Sequence, residues 1–146
     1  MILCSNPHEQ YTKYKQAIDS AIARVLNSGL YILGPETESF EQEFAGFTQT
    51  SYCSGVANGT DALLLALKAC DIGEGDEVIT VSLTASATAS AVHQTGAEIV
   101  YVDVDPESYT MDIAQLRSKI GSRTKAIIPV HLYGHPADMG AIMDLA

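Results

Sequence analysis

The sequence predicts an α/β protein of three-layer α/β/α architecture, with a mostly parallel sheet covered by helices on both faces. Three observations carry this. From residue 51 onward, short β-rich runs alternate with helix-length runs. Hydrophobic side chains make up 47% of the 146 residues and charged ones only 18%, which supplies a core and excludes a disordered tail. A chain of this length buries about two-thirds of its unfolded surface, so it needs neither disulfides nor a structural metal.

Two segments are expected: a helical one over 1–50 and a sheet-bearing one over 51–146. Residues 8–28 predict a helix, because Tyr11, Tyr14, Ile18, Ala21, Ile22 and Val25 recur at intervals of three and four. Gly29 is its stop. Pro35 opens a second helix to about Phe47, with Phe40, Phe44 and Phe47 on one face. Strands are then predicted over Ser51–Ala57, Glu77–Val81, Glu98–Val104 and Lys125–His131. Helices are predicted over Gly59–Cys70, Thr84–Thr95, Ser108–Ile120 and Asp138–Ala146. Pro129 cannot donate to a sheet ladder, so the last strand lies at an edge or ends early.

The helix at 59–70 is apolar nearly all round, from Ala62 through Leu67 to Cys70. Such a helix is buried on more than one side, so further chain or another subunit is expected to cover it. The last helix reaches Ala146 with no C-cap signal. The sequence therefore reads as the front part of a larger, self-associating protein.

Eighteen acidic against eight basic residues give a net charge of −10, too acidic for a nucleic-acid groove. No apolar run is long enough to span a bilayer. Cys4, Cys53 and Cys70 are odd in number and widely spaced, which fits free thiols in a reducing compartment. The N-terminus has neither the charged nor the long apolar region of a signal peptide, so a cytoplasmic protein is expected.

The most informative stretch runs from Ser54 to Leu63, through a turn of small residues into a helix. The N–H groups of Gly59, Thr60 and Asp61, the positive end of the helix dipole and the Thr60 hydroxyl together suit a phosphate. The plainer alternative is an Asn58 helix cap with no ligand. Gly59 is followed by Thr60 and Asp61 rather than Lys-Ser/Thr, so this is no Walker A loop. Gly55 and Gly59 are four apart, so it is no dinucleotide fingerprint either.

Asp103 and Asp105 alternate along a strand end, roughly 6.6 Å apart, but Asp105 before Pro106 reads as a cap rather than an acid/base partner. His131 and His135 have the i, i+4 spacing of a helical metal pair. Gly134 and Pro136 argue against a helix there, and no metal site is expected. His131, at the C-terminal end of a strand, is better placed to meet a ligand. His8 and His93 read as surface residues. Lys68, Lys119 and Lys125 are poorly placed for Schiff-base chemistry, so no catalytic residue is expected within this chain.

Six motifs stand in one order: Tyr31–Glu36, Phe40–Ala45, Asn58–Leu63, Gly75–Ile79, Tyr101–Pro106 and Lys125–Gly134. Together they resemble the opening of the DegT/DnrJ/EryC1/StrS family of pyridoxal-phosphate-dependent sugar aminotransferases, of the aspartate-aminotransferase fold (fold type I). The resemblance covers nearly the whole chain. It implies an incomplete large domain over 51–146, pyridoxal 5'-phosphate as cofactor, a nucleotide-linked keto-sugar as substrate, an amino-acid donor such as glutamate, and a homodimer. It places the phosphate cup on Asn58, Gly59, Thr60 and Asp61, and the ring-stacking position on Ala85, where the family often carries an aromatic. Tyr31, Gly34, His131 and Tyr133 become candidate substrate residues. The Schiff-base lysine and the carboxylate at the pyridine nitrogen lie beyond residue 146 in such proteins. A sugar dehydratase of the same family, with histidine in place of that lysine, is the alternative activity. A truncated, non-catalytic, self-associating protein is the alternative of another kind.

Overall fold

The computed structural model describes residues 5–146. The predicted free thiol of Cys4 lies outside them; Cys53 and Cys70 are free, as expected. The chain forms two compact units, one ending at Gly55 and the other running from Val56 to Ala146.

In the first unit, α1 spans Pro7–Ser28, capped by the Asn6 side chain and ended by Gly29 in the left-handed conformation at φ 69°. That φ suits glycine, which has no Cβ to clash. α2 spans Pro35–Thr48, with Pro35 in its first turn. Arg24 of α1 grips Glu36 of α2 through two hydrogen bonds of 2.6 and 2.9 Å. Phe40, Phe44 and Phe47 share one face of α2, with ring centroids 5.6 and 6.3 Å apart along the series. No residue of α1 is buried, and Ile22, Leu26, Phe40 and Phe47 are all exposed.

The strand predicted over Ser51–Ala57 does not form. Backbone groups there are taken by side chains instead. The Thr50 hydroxyl donates to the Tyr52 carbonyl, and the Gly55 N–H donates to Glu41 Oε1 at 2.6 Å. An extended run makes no strand where no neighbouring strand offers it a ladder.

The second unit runs α3 (Gly59–Ala69), β1 (Glu77–Val81), α4 (Ser86–Thr95), β2 (Glu98–Val102), α5 (Ile113–Lys119), β3 (Thr124–Ile128), a 3-10 turn at Leu132–Gly134 and α6 (Met139–Met143). All strand pairs are parallel, in the order β2-β1-β3. Side chains alternate along each strand and build one core on each face. Ile79, Val81, Val100, Val102 and Ile127 join Leu116 of α5 and Ile142 of α6. Val78, Ile99, Ala126 and Ile128 join Leu67 of α3 and Val92 of α4. This is the predicted three-layer arrangement, and three of the four predicted strands supply it.

Glu77 and Glu98 sit side by side in register at the start of β1 and β2. Arg123 offsets their repulsion, pairing with Glu77 at 2.5 Å and Glu98 at 3.1 Å. β3 is an edge strand that ends before Pro129, so both consequences predicted for that proline occur. On the other face of the question raised by the apolar helix, Leu67 is buried but Leu65 of α3 remains 53% exposed.

The helix predicted from Ser108 starts only at Ile113. Val104 instead forms an antiparallel bridge with Met111, and Asp112 caps α5 by accepting from Ala114 and Gln115. Both aspartates before it serve the backbone: Asp103 accepts from Val104 N–H, and Asp105 from the N–H groups of Glu107 and Ser108. The bonds from Ser108 and Glu107 hold the Asp105 carboxyl below its ordinary value. Its contribution to stability is therefore present above the unfolded value of roughly 4 and is lost as pH falls through the lower, folded value. Asp105→Asn, which keeps an acceptor oxygen but loses the charge, is expected to lower neutral-pH stability modestly and to flatten this part of the acid limb. Urea midpoints across the acid range check it, and an unaltered acid limb would count against the role.

Candidate functional site

The candidate site is built from the ends of elements in the second unit. Residues 70–76 connect α3 to β1, so α3 ends at the edge where the strands begin. Its 11 residues rise about 16 Å, and the five residues of β1 extend about as far. The N-terminus of α3 thus reaches the edge where the strands end. Because the sheet is parallel, the segments after β1 and β3 deliver Ala85 and His131 to that same edge, the usual place for ligands in such sheets.

At the α3 N-terminus, Asn58 is the cap, in an extended conformation at φ −163°, ψ 174°. Its Oδ1 accepts the Asp61 N–H at 3.0 Å, and its Nδ2 donates to Asp61 Oδ2 at 3.0 Å. This corrects the count of free donors read from the sequence. Asp61 N–H is spent on the cap, which leaves the N–H groups of Gly59 and Thr60 and the Thr60 hydroxyl. The Asp61 carboxylate is turned back onto Asn58, within the first turn of α3. Beside Gly59 the space is open; nothing lies within 4 Å of where its Cβ would be.

Ala85 is exposed at the N-cap position of α4 and offers no side-chain cap. The turn is held instead by the Thr84 and Thr88 hydroxyls, 3.0 Å apart, and by Thr88 N–H donating to the Ala85 carbonyl at 3.1 Å. Thr88 is 5% exposed. His131 Nδ1 accepts the Ala137 N–H at 3.0 Å. Tyr133 is 99% exposed in the left-handed region at φ 53°, next to Gly134 at φ 82°. His131 and His135 flank a 3-10 turn rather than lying on one helix. Among the described residues no group of three His, Cys, Asp or Glu side chains could hold a metal.

In the first unit, Tyr31 and Gly34 line a cleft with Arg24, Ser28 and Glu36. Gly34 fits closely there, since a Cβ would stand only 3.0 Å from the Leu30 carbonyl oxygen. Lys68, Lys119 and Lys125 are exposed on α3, α5 and β3. The Thr84–Thr88 pair and the His131–Ala137 bond escape sequence reasoning, because neither spacing carries a recognised signature.

Residues 12–146 match the model of the DegT/DnrJ/EryC1/StrS aminotransferase family. The chain belongs to this family. Members similar to it include dTDP-3-amino-3,4,6-trideoxy-α-D-glucose transaminase of Streptomyces venezuelae, 50% identical over 136 residues, covering 93% of this chain and 36% of the relative. UDP-2-acetamido-2-deoxy-3-oxo-D-glucuronate aminotransferase of Pseudomonas aeruginosa is 50% identical over 137 residues, covering 94% of this chain and 38% of the relative. The crystal structure of S. venezuelae DesV in complex with a ketimine intermediate superposes with a TM-score of 0.93 at 48% identity, over 97% of this chain and 38% of that one. The chain thus spans a little over a third of the length of the curated relatives it matches. The DegT/DnrJ/EryC1/StrS neighbours are pyridoxal-phosphate aminotransferases of fold type I, and the parallel sheet with its flanking helices is of that type. No helix among the described residues is long and apolar enough to cross a membrane.

Proposed function

We propose that this chain is the front part of a pyridoxal-phosphate-dependent aminotransferase that transfers an amino group to a nucleotide-linked keto-sugar, with glutamate as donor. Residues 1–50 form a helical segment ahead of residues 51–146, the first part of the cofactor-binding large domain. The observation that carries the reading is the Asn58–Asp61 turn, with its open N-terminal donors at the strand-exit edge, in a chain half identical to sugar transaminases.

The donor set suits a phosphate monoester. Gly59 and Thr60 present N–H groups and a hydroxyl at the positive end of an 11-residue helix. Asn58 spends its own side chain on holding the turn, and the open space at Gly59 lets a ligand approach the backbone. Ala85 lies against the cofactor ring without stacking on it. Tyr31, Gly34, His131 and Tyr133 serve the substrate. When bound, the cofactor supplies the electron sink that amino transfer requires. The lysine that carries it is none of Lys68, Lys119 and Lys125 of the second unit, nor the exposed Lys13 and Lys15 of α1, so the 146 residues alone are inactive. The working protein is a cytoplasmic homodimer, in which a second copy covers Leu65 and other exposed apolar residues.

The test is expression of the whole reading frame. The purified protein should retain pyridoxal phosphate and aminate a UDP- or dTDP-linked keto-sugar from glutamate. Retention of cofactor with water loss from the sugar in place of amination would replace this reading with a dehydratase. Failure to bind the cofactor at all would overturn it.

A further inference from the structure

The segment after β3 holds one histidine in a single tautomer. His131 Nδ1 accepts a hydrogen bond from the backbone N–H of Ala137 at 3.0 Å. A ring nitrogen that accepts carries no proton, so the neutral imidazole keeps its proton on Nε2. The other end of this bond is firm. Ala137 is 4% exposed and belongs to the core on that face of the sheet. Two further bonds of 3.0 Å close the loop: Gly134 N–H to the His131 carbonyl and His135 N–H to the Leu132 carbonyl. The histidine side chain is otherwise exposed, at the edge where the parallel strands end.

We propose that His131 is a fixed, uncharged hydrogen-bond donor whose Nε2–H binds a neutral oxygen, hydroxyl or keto, on the sugar of the nucleotide-linked substrate. The choice of a neutral oxygen follows from the geometry. An imidazolium would carry a proton on Nδ1 and meet the Ala137 N–H donor to donor. The observed loop and a positive ring therefore exclude each other. Phosphates are held by charge or by aligned backbone dipoles, and this ring supplies neither. A sugar oxygen needs only a donor in a fixed place. The tautomer rests on the structure alone, whereas the identity of the ligand rests on the function proposed above.

The experiment uses the intact protein labelled with nitrogen-15 histidine, with His131→Gln to assign the ring signals. The neutral ring is expected to be protonated on Nε2. UDP-glucose or dTDP-glucose should move the Nε2–H signal, and UDP or dTDP alone should not. His131→Asn keeps an acceptor near the Nδ1 position and removes the outer donor. It should keep the Ala137 amide protected from exchange, weaken the sugar nucleotides about fivefold and leave UDP and dTDP unaffected. His131→Ala should also expose the Ala137 amide to exchange. A ring protonated on Nδ1 overturns the proposal whether or not any nucleotide binds. Sugar nucleotides that bind without moving the His131 signal, or a shift with UDP alone, overturn its ligand assignment. If calorimetry detects no binding of any of the four nucleotides, the proposed function fails and takes the sugar contact with it, while the tautomer readout still stands on its own.

Discussion

Leu116→Ala is expected to destabilise the sheet-bearing unit by about 2–5 kcal/mol, the usual cost of emptying a fully buried leucine site. Leu116 is 0% exposed and packs with Ile79, Val102 and Ile142. It is also the buried residue of α5, a helix of seven residues. So short a helix has little stability of its own, and its docking rests mainly on this side chain, with Ile113 and Ile120 packed beside it. Leu116→Met, which nearly conserves volume, should cost less than about 1.5 kcal/mol. Urea denaturation of the intact protein gives both values, and amide exchange should show α5 opening first in the alanine variant. A loss for the alanine variant no larger than for methionine would mean that α5 is held by something else.

The second large effect is expected at the Asn58–Asp61 turn, the proposed phosphate site. Gly59→Pro removes one N–H and little else. A proline is tolerated in the first turn of a helix, where the missing donor has no intrahelical partner. It also favours an extended residue before it, and Asn58 is already extended. No atom lies within 4 Å of the Cβ position at Gly59. The variant should therefore fold as the parent does. Its cofactor affinity should fall by about 1.5–3 kcal/mol, the worth of a hydrogen bond to a charged group, which is roughly tenfold or more. Thr60→Val should cost about 1–2 kcal/mol through the hydroxyl alone. Equilibrium dialysis of pyridoxal phosphate against each variant of the intact protein measures both. Unchanged affinity in the two variants, with unchanged melting temperature, would place the phosphate elsewhere.

Much of this molecule is legible from local chemistry. Pro35 and Gly29 mark the ends of helices because their backbones tolerate or demand those positions. The runs read as strands at 77–81, 98–104 and 125–131 supply β1, β2 and β3, because both of their faces are largely apolar, as a sheet covered on two sides requires. Pro129 ends β3 for want of an N–H. The start of α3 is legible for the same reason: a small-residue stretch with Asn58 before an apolar run announces a helix N-terminus.

What failed was decided by particular hydrogen-bond partners, near and distant in sequence, that residue pattern does not announce. Ser51–Ala57 reads as a short strand, yet it makes none because Glu41 and Thr50 take its backbone groups. Ser108–Met111 reads as helix, yet Val104 pairs with Met111 and Asp112 starts the helix instead. Asp61 N–H looks free until the Asn58 side chain folds onto it.

The sequence by itself determined the fold class, the two-faced core and the capped N-terminus of α3 at Asn58, since each depends on residue type and spacing within a few positions. Only the tertiary structure decided the strand order, the clamp of Arg123 on two neighbouring glutamates, and the tautomer of His131. These depend on hydrogen bonds and charges brought together from different elements, and neither periodicity nor propensity encodes where such groups will meet.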